Sequence, residues 1–139
     1  MVQVNRFEWS RPAREARHSP RRRLQGVRPG LPACIECAQT CTACADACLG
    51  EDSVADLTHC IRTDLDCADL CETTGRVLSR QTGNNAEVTR AVLEACAAAC
   101  KSCGDECAQH SSHHEHCKIC ADACQRCEQA CRDLLTSLG

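Results

Sequence analysis

The stretch CIECAQTCTACADAC, residues 34–48, carries cysteine at Cys34, Cys37, Cys41, Cys44 and Cys48, a strict alternation of three- and four-residue steps. At 100° per residue these five side chains fall within an arc of roughly 80°, and at about 1.5 Å of rise each they span roughly 21 Å. The spacing predicts one helix with a line of sulfur along one face. The pattern returns in CKICADACQRCEQAC, residues 117–131, as Cys117, Cys120, Cys124, Cys127 and Cys131. Between them lie Cys96, Cys100, Cys103 and Cys107 in one segment and Cys60, Cys67 and Cys71 in another. The two share a four, three, four spacing once Asp64 is given the place that Cys100 holds. Each segment therefore offers its thiols where an a/d core would lie.

Seventeen of the 139 residues are cysteine, whereas Phe7 and Trp9 are the only aromatics and Leu, Ile, Val and Phe together number 22. So few aliphatics in a charged chain point toward disorder, but the formal net charge is only -3 and a free thiol packs as a small hydrophobe. The expected core is sulfur and alanine. If these were merely small core residues, alanine would serve without the hazard of oxidation. A disulfide framework needs an oxidising compartment. The N-terminal region has no apolar run typical of an export signal, and none follows Arg21, Arg22 and Arg23 to complete a twin-arginine signal. An odd number of cysteines also leaves one unpaired, and no stretch approaches the roughly 18 apolar residues of a membrane span. The expectation is a cytoplasmic protein, without a membrane partner, whose thiols are reduced.

Charge divides the chain. Residues 1–32 hold eight arginines against Glu8 and Glu15, together with all four prolines, while the remainder is acidic. The first part reads as a basic, partly flexible arm with room for a short helix over residues 3–17. Basic residues not organised on a fold argue against a nucleic-acid partner. The arm could instead lie against the acidic bundle.

From residue 33 the punctuation marks four helices, at about 33–49, 54–82, 85–110 and 113–138. Pro32 suits a first turn and Gly50 a stop. Ser53 can open the second helix, Asn84 or Asn85 can cap the third, and Ser112 with Glu115 has capping-box spacing for the fourth. Ala, Glu, Gln, Leu and Arg fill the segments without a proline. Short connections between four helices imply an all-α, antiparallel up-down-up-down four-helix bundle with a Cys-lined core, residues 33–139.

Soft thiolates select Cu(I), zinc or iron-sulfur clusters. Zinc favours one closed tetrahedron, usually from two C-x-x-C knuckles, and here the knuckles merge into continuous rows. The ferredoxin run ending in Cys-Pro is absent. Cu(I) accepts two or three thiolates, so i,i+3 and i,i+4 pairs or neighbours across the bundle can hold it, and one sulfur can bridge two ions. The pattern thus predicts storage of many Cu(I) ions, with an iron-sulfur electron carrier or a zinc buffer as alternatives. No thiol is paired with an activating base, which argues against an enzyme. A copper chaperone is the expected donor, by thiolate exchange.

Five of the six histidines gather at one end of such a bundle: His59, His110, His113, His114 and His116. His110 lies three after Cys107 on its stripe, and His113 and His114 lie four and three before Cys117. His110 and one of His113 and His114 are expected to pass Cu(I) inward. His59 and His116 read as solvated. Asp64 points inward one turn below Cys60, and a buried lone carboxylate needs a partner or a metal.

Three passages carry a family resemblance. They are Cys60-Ile61-Arg62-Thr63-Asp64-Leu65-Asp66-Cys67-Ala68-Asp69-Leu70-Cys71, Cys103-Gly104-Asp105-Glu106-Cys107 followed by His110, and His116-Cys117 leading into the fourth thiol row. Over residues 33–138 the chain resembles the cytosolic four-helix-bundle copper storage proteins. The resemblance implies a cytosolic homotetramer of bundles that buffers copper against toxicity, with Asp64 and the histidines at the entrance.

Overall fold

The computed structural model describes residues 30–83 and 85–138. The arm up to residue 29, its expected short helix, Asn84 and Gly139 lie outside the described residues. Four α-helices follow one another: α1 (Gly30–Leu49), α2 (Thr58–Ser79), α3 (Ala86–His110) and α4 (Glu115–Leu138), with a 3-10 turn, Val54–Leu57, before α2. They pack as a ring in which α1 neighbours α2 and α4, and α3 neighbours the same two. With short connections this is the antiparallel four-helix bundle.

The helix ends differ from the expected ones for local reasons. α1 begins at Gly30 rather than residue 33, taking Pro32 into its first turn, where a missing N–H costs nothing. A Cβ at residue 30 would collide with the Leu134 side chain, so glycine lets the start of α1 close onto the end of α4. Ser53 makes no side-chain capping bond; the chain first turns through Val54–Leu57, burying Leu57, and α2 starts at Thr58 instead of residue 54. α2 ends at Ser79, not 82, where the Arg80 N–H donates to Val77 C=O and the Gln81 side chain to Leu78 C=O. Asn85 caps α3 by accepting from the Val88 N–H at 3.1 Å. No such bond is made by Ser112. α4 starts two residues after the expected position, with the His114 carbonyl accepting from the N–H groups of Cys117 and Lys118.

All seventeen cysteines are free and buried, each with at most 1% of its surface exposed. Past one end of the sulfur leucine takes over, where Leu78 and Leu93 are buried and Leu134 packs against the core, whereas the other end buries Leu57 beneath the α1–α2 connection. Thr74 is buried at the first of these ends and donates to the Val92 carbonyl. The tube of thiols is therefore plugged by apolar side chains at one end. Its other end is polar.

Candidate metal centre

The four stripes interdigitate across the bundle axis, with neighbouring sulfurs 3.5–4.0 Å apart. From the polar end inward, Cys44, Cys48, Cys60 and Cys117 form one group whose sulfurs could converge on a single ion. Deeper groups are Cys41, Cys103, Cys120 and Cys124; Cys37, Cys41, Cys67 and Cys124; Cys37, Cys67, Cys71 and Cys100; and Cys34, Cys96, Cys127 and Cys131. Cys37, Cys41, Cys67 and Cys124 each belong to two of these groups. Cys107 joins the outer groups, 3.5 Å from Cys60 and 3.9 Å from Cys103. The ladder has no boundary at which one site stops and the next begins.

α3 and α4 approach closely where the outer groups meet. A Cβ at Gly104 would stand 3.2 Å from the Cys124 Cβ, so glycine there allows Cys103 and Cys124 to face the same sulfur, Cys41, at 3.9 and 3.6 Å.

Asp64 is the charged-type residue inside this column, with no exposed surface. Its Oδ1 accepts from the thiols of Cys103 at 3.0 Å, Cys120 at 3.1 Å and Cys107 at 3.4 Å. Oδ2 has only Cys60, at 3.8 Å, and is the oxygen left to carry a proton. Burial first, then the proximity of Cys103, pushes the carboxyl up to about 9, so in the metal-free protein it is neutral at pH 7. A neutral acid among thiols avoids an isolated charge in a dry site. The carboxyl stands between the outer group and the next, contacting sulfurs of α2, α3 and α4.

At the polar end the histidines divide. His110 bonds to Glu106, at 3.1 Å, with 22% of its side chain exposed. His59 is largely exposed, 3.9 Å from the other oxygen of Glu106. His113 is exposed, and His114 Nδ1 lies 3.3 Å from Glu51 Oε1. His116 was expected to be solvated, but its Nδ1 sits 3.4 Å from Cys44 Sγ, 3.5 Å from Cys117 Sγ and 4.0 Å from Cys48 Sγ. Burial opposes charge on this ring, yet the hydrogen bonds to Cys44 and Glu51 outweigh it and raise its affinity for a proton. The signal for His116 was present in the sequence: it lies four residues before Cys120, as Cys120 lies four before Cys124. Glu51 gave no periodic signal.

Two of the outermost thiols, Cys48 and Cys117, resist ionisation. Burial is the first cause at both Cys48, pushed up to about 11, and Cys117, pushed further. Thiolates this close repel one another, so protons leave only as a cation takes their place. Chemically, the column can exchange a row of protons for a row of soft cations, admitted at one end.

Proteins of known structure share this arrangement. A cytosolic copper storage protein from Streptomyces lividans, determined with five coppers, is 61% identical with a TM-score of 0.82, covering 84% of this chain and 98% of that one. The Cu(I)-bound copper storage protein of Bacillus subtilis is 33% identical with a TM-score of 0.71, covering 79% and 98%. A cysteine-rich protein of Bacillus subtilis, YhjQ, is 38% identical over 104 residues, 75% of this chain and 91% of its own length. The sequence profile of the copper storage proteins matches residues 25–136, the whole bundle but for its last residues, and the chain belongs to that family.

Proposed function

We propose that this protein is a cytoplasmic store that holds many Cu(I) ions on the thiolates of its core and so protects the cell from copper. The observation that carries the reading is the sharing of sulfurs between successive groups. Zinc is satisfied by four ligands of its own, whereas Cu(I) takes two or three thiolates and tolerates bridging, so a column without boundaries suits Cu(I). The relatives' copper-bound forms support it. All seventeen cysteines act as ligands, from Cys34 to Cys131. Storage is the role; the buried thiols present no activated nucleophile to a substrate.

Copper enters at the polar end, because the other end is closed by leucine. His110, His113 and His114 stand around that opening, and Asp64 lies beyond the outer thiol group. An incoming ion meets imidazole first, then the outer thiols, then the carboxyl, whose proton leaves as the cation passes. A copper chaperone is the donor, handing over ions by thiolate exchange. The protein assembles as a homotetramer with its stores in parallel. No described helix is long and apolar enough to cross a membrane.

Anaerobic titration of the reduced protein with Cu(I), against a competing chelator, tests the reading. Uptake of many ions per chain is expected. Saturation at about one or two would make the protein a carrier or sensor, since the ladder offers thiolates for far more. Visible absorption from iron in protein purified without oxygen would replace copper by an iron-sulfur cluster.

A further inference from the structure

Away from the polar end, α1 and α2 leave a groove of about 840 Å³ between their outer faces. The buried residues that line it are small, Ala68, Cys71 and Gly75, and Ile35 stands beside them with 53% of its surface exposed. Asp46, Asp69 and Glu72 mark the rim. Glu72 is taken by Arg76 at 2.7 Å, whereas Asp46 and Asp69 have no ion-pair partner among the described residues. Exposed apolar surface rimmed by polar groups marks an interaction site. Here the rim asks for an occupant that is basic as well as apolar.

We propose that the N-terminal arm of the same chain, residues 1–29, docks in this groove, with Phe7 and Trp9 against its apolar lining and arginines against Asp46 and Asp69. The arm has the matching chemistry: it holds the only two aromatic residues of the chain, and eight arginines against Glu8 and Glu15. The bundle of a second copy is a poorer complement, because residues 33–139 carry seventeen acidic side chains against eight basic ones. An acidic face repels an acidic rim.

The arm also starts from the right place. Residue 29 joins Gly30, and Leu31 and Ile35, the next turn of α1, already line the groove. The twenty residues between Trp9 and Gly30 can extend to about 70 Å, while Asp46 lies only about 22 Å along α1 from Leu31. Reach is ample, and tethering beside the groove gives the arm an effective concentration on the order of millimolar, so docking of modest affinity is populated. Docked there, the arm lies over Cys71, the core thiol that lines the groove.

Trp9 is the single tryptophan, so its fluorescence reports the arm directly. In the full, reduced, metal-free chain its emission is expected to be blue-shifted from that of the same chain in urea, and shielded from acrylamide. Ile35→Lys removes apolar lining and repels the arginines; it should return the emission toward the urea value at unchanged helix content. Ile119→Lys is the control, because Ile119 is also 53% exposed but lies on α4, outside the groove, and it should leave the emission blue-shifted. Phe7→Ser leaves the bundle itself untouched and should also open Trp9 to acrylamide. Light scattering on the same samples identifies any other occupant. A blue shift that fades on dilution as the mass falls would place Trp9 against a second copy and overturn the proposal. So would solvent-like emission in the unmodified chain, equal loss in Ile119→Lys, or a smaller mass in Ile35→Lys with Trp9 undisturbed, which would assign the groove to a second copy.

Discussion

Asp64 is the residue on which the metal-free protein and the loading pathway both turn. The folded protein keeps its proton up to about pH 9, whereas the unfolded chain releases it near pH 4. Folding therefore binds a proton across that window, and this stabilisation is fully present below about pH 4 and lost as pH rises toward 9. The contribution to the slope is at most about 1.4 kcal/mol per pH unit. Asp64→Asn, which keeps an acceptor but cannot ionise, should flatten it. Urea midpoints of the metal-free pair between pH 5 and 8 check this, and parallel curves would show that Asp64 does not titrate as its surroundings require. The same variant bears on uptake. Asp64→Ala or His110→Ala should slow copper uptake more than it lowers final capacity, measured by stopped-flow loading beside an end-point titration; unchanged rates would remove both residues from the path.

At the scale of elements, α3 shows how the helices divide labour between folding and holding sulfur. Asn85 caps its exposed start through Val88, far from the polar end. Asn85→Ala should cost about 1 kcal/mol and leave copper capacity unchanged. Gly104→Val is the converse. Its Cβ alone would stand 3.2 Å from the Cys124 Cβ, so the branched side chain must push α3 away from α4. An overpacking cost of about 1–3 kcal/mol is expected, with weaker copper binding at Cys41, Cys103, Cys120 and Cys124, seen as a low-affinity tail in the titration. The thiol rows were legible because one residue type repeated at helical period marks a face without ambiguity, and all seventeen sulfurs do reach the axis. Helix ends were less legible. Pro32 and Ser53 have two permitted roles each, and contacts distant in sequence, Gly30 against Leu134 and Leu57 beneath the α1–α2 connection, decide between them. The pairing of Glu51 with His114 and His116 was invisible for a related reason: 65 residues separate Glu51 from His116, and neither connection has a period.

For the whole molecule, the core and the cargo site are one object, so stability and copper content are linked. Sulfur and alanine fill the axis with little of the bulk that leucine or phenylalanine provides, and the metal-free bundle rests on helix packing plus the leucine plug. Each Cu(I) finds thiols already gathered in the folded column, whereas the unfolded chain must draw its thiols together around the ion, so loading should raise stability by mass action. It must also release protons, because the buried thiols are protonated until metal arrives. Copper retention should therefore fall on acidification, with each engaged thiolate adding about one proton to the exchange. Competition with a chelator of known pH dependence at pH 5.5 and 7.5, together with thermal unfolding of the same samples, tests both halves of the linkage. Loaded protein should unfold at higher temperature at pH 7.5 and lose most of that gain at pH 5.5. If copper retention were independent of pH, the thiols would have to be ionised before loading, which the close packing of so many buried sulfurs opposes.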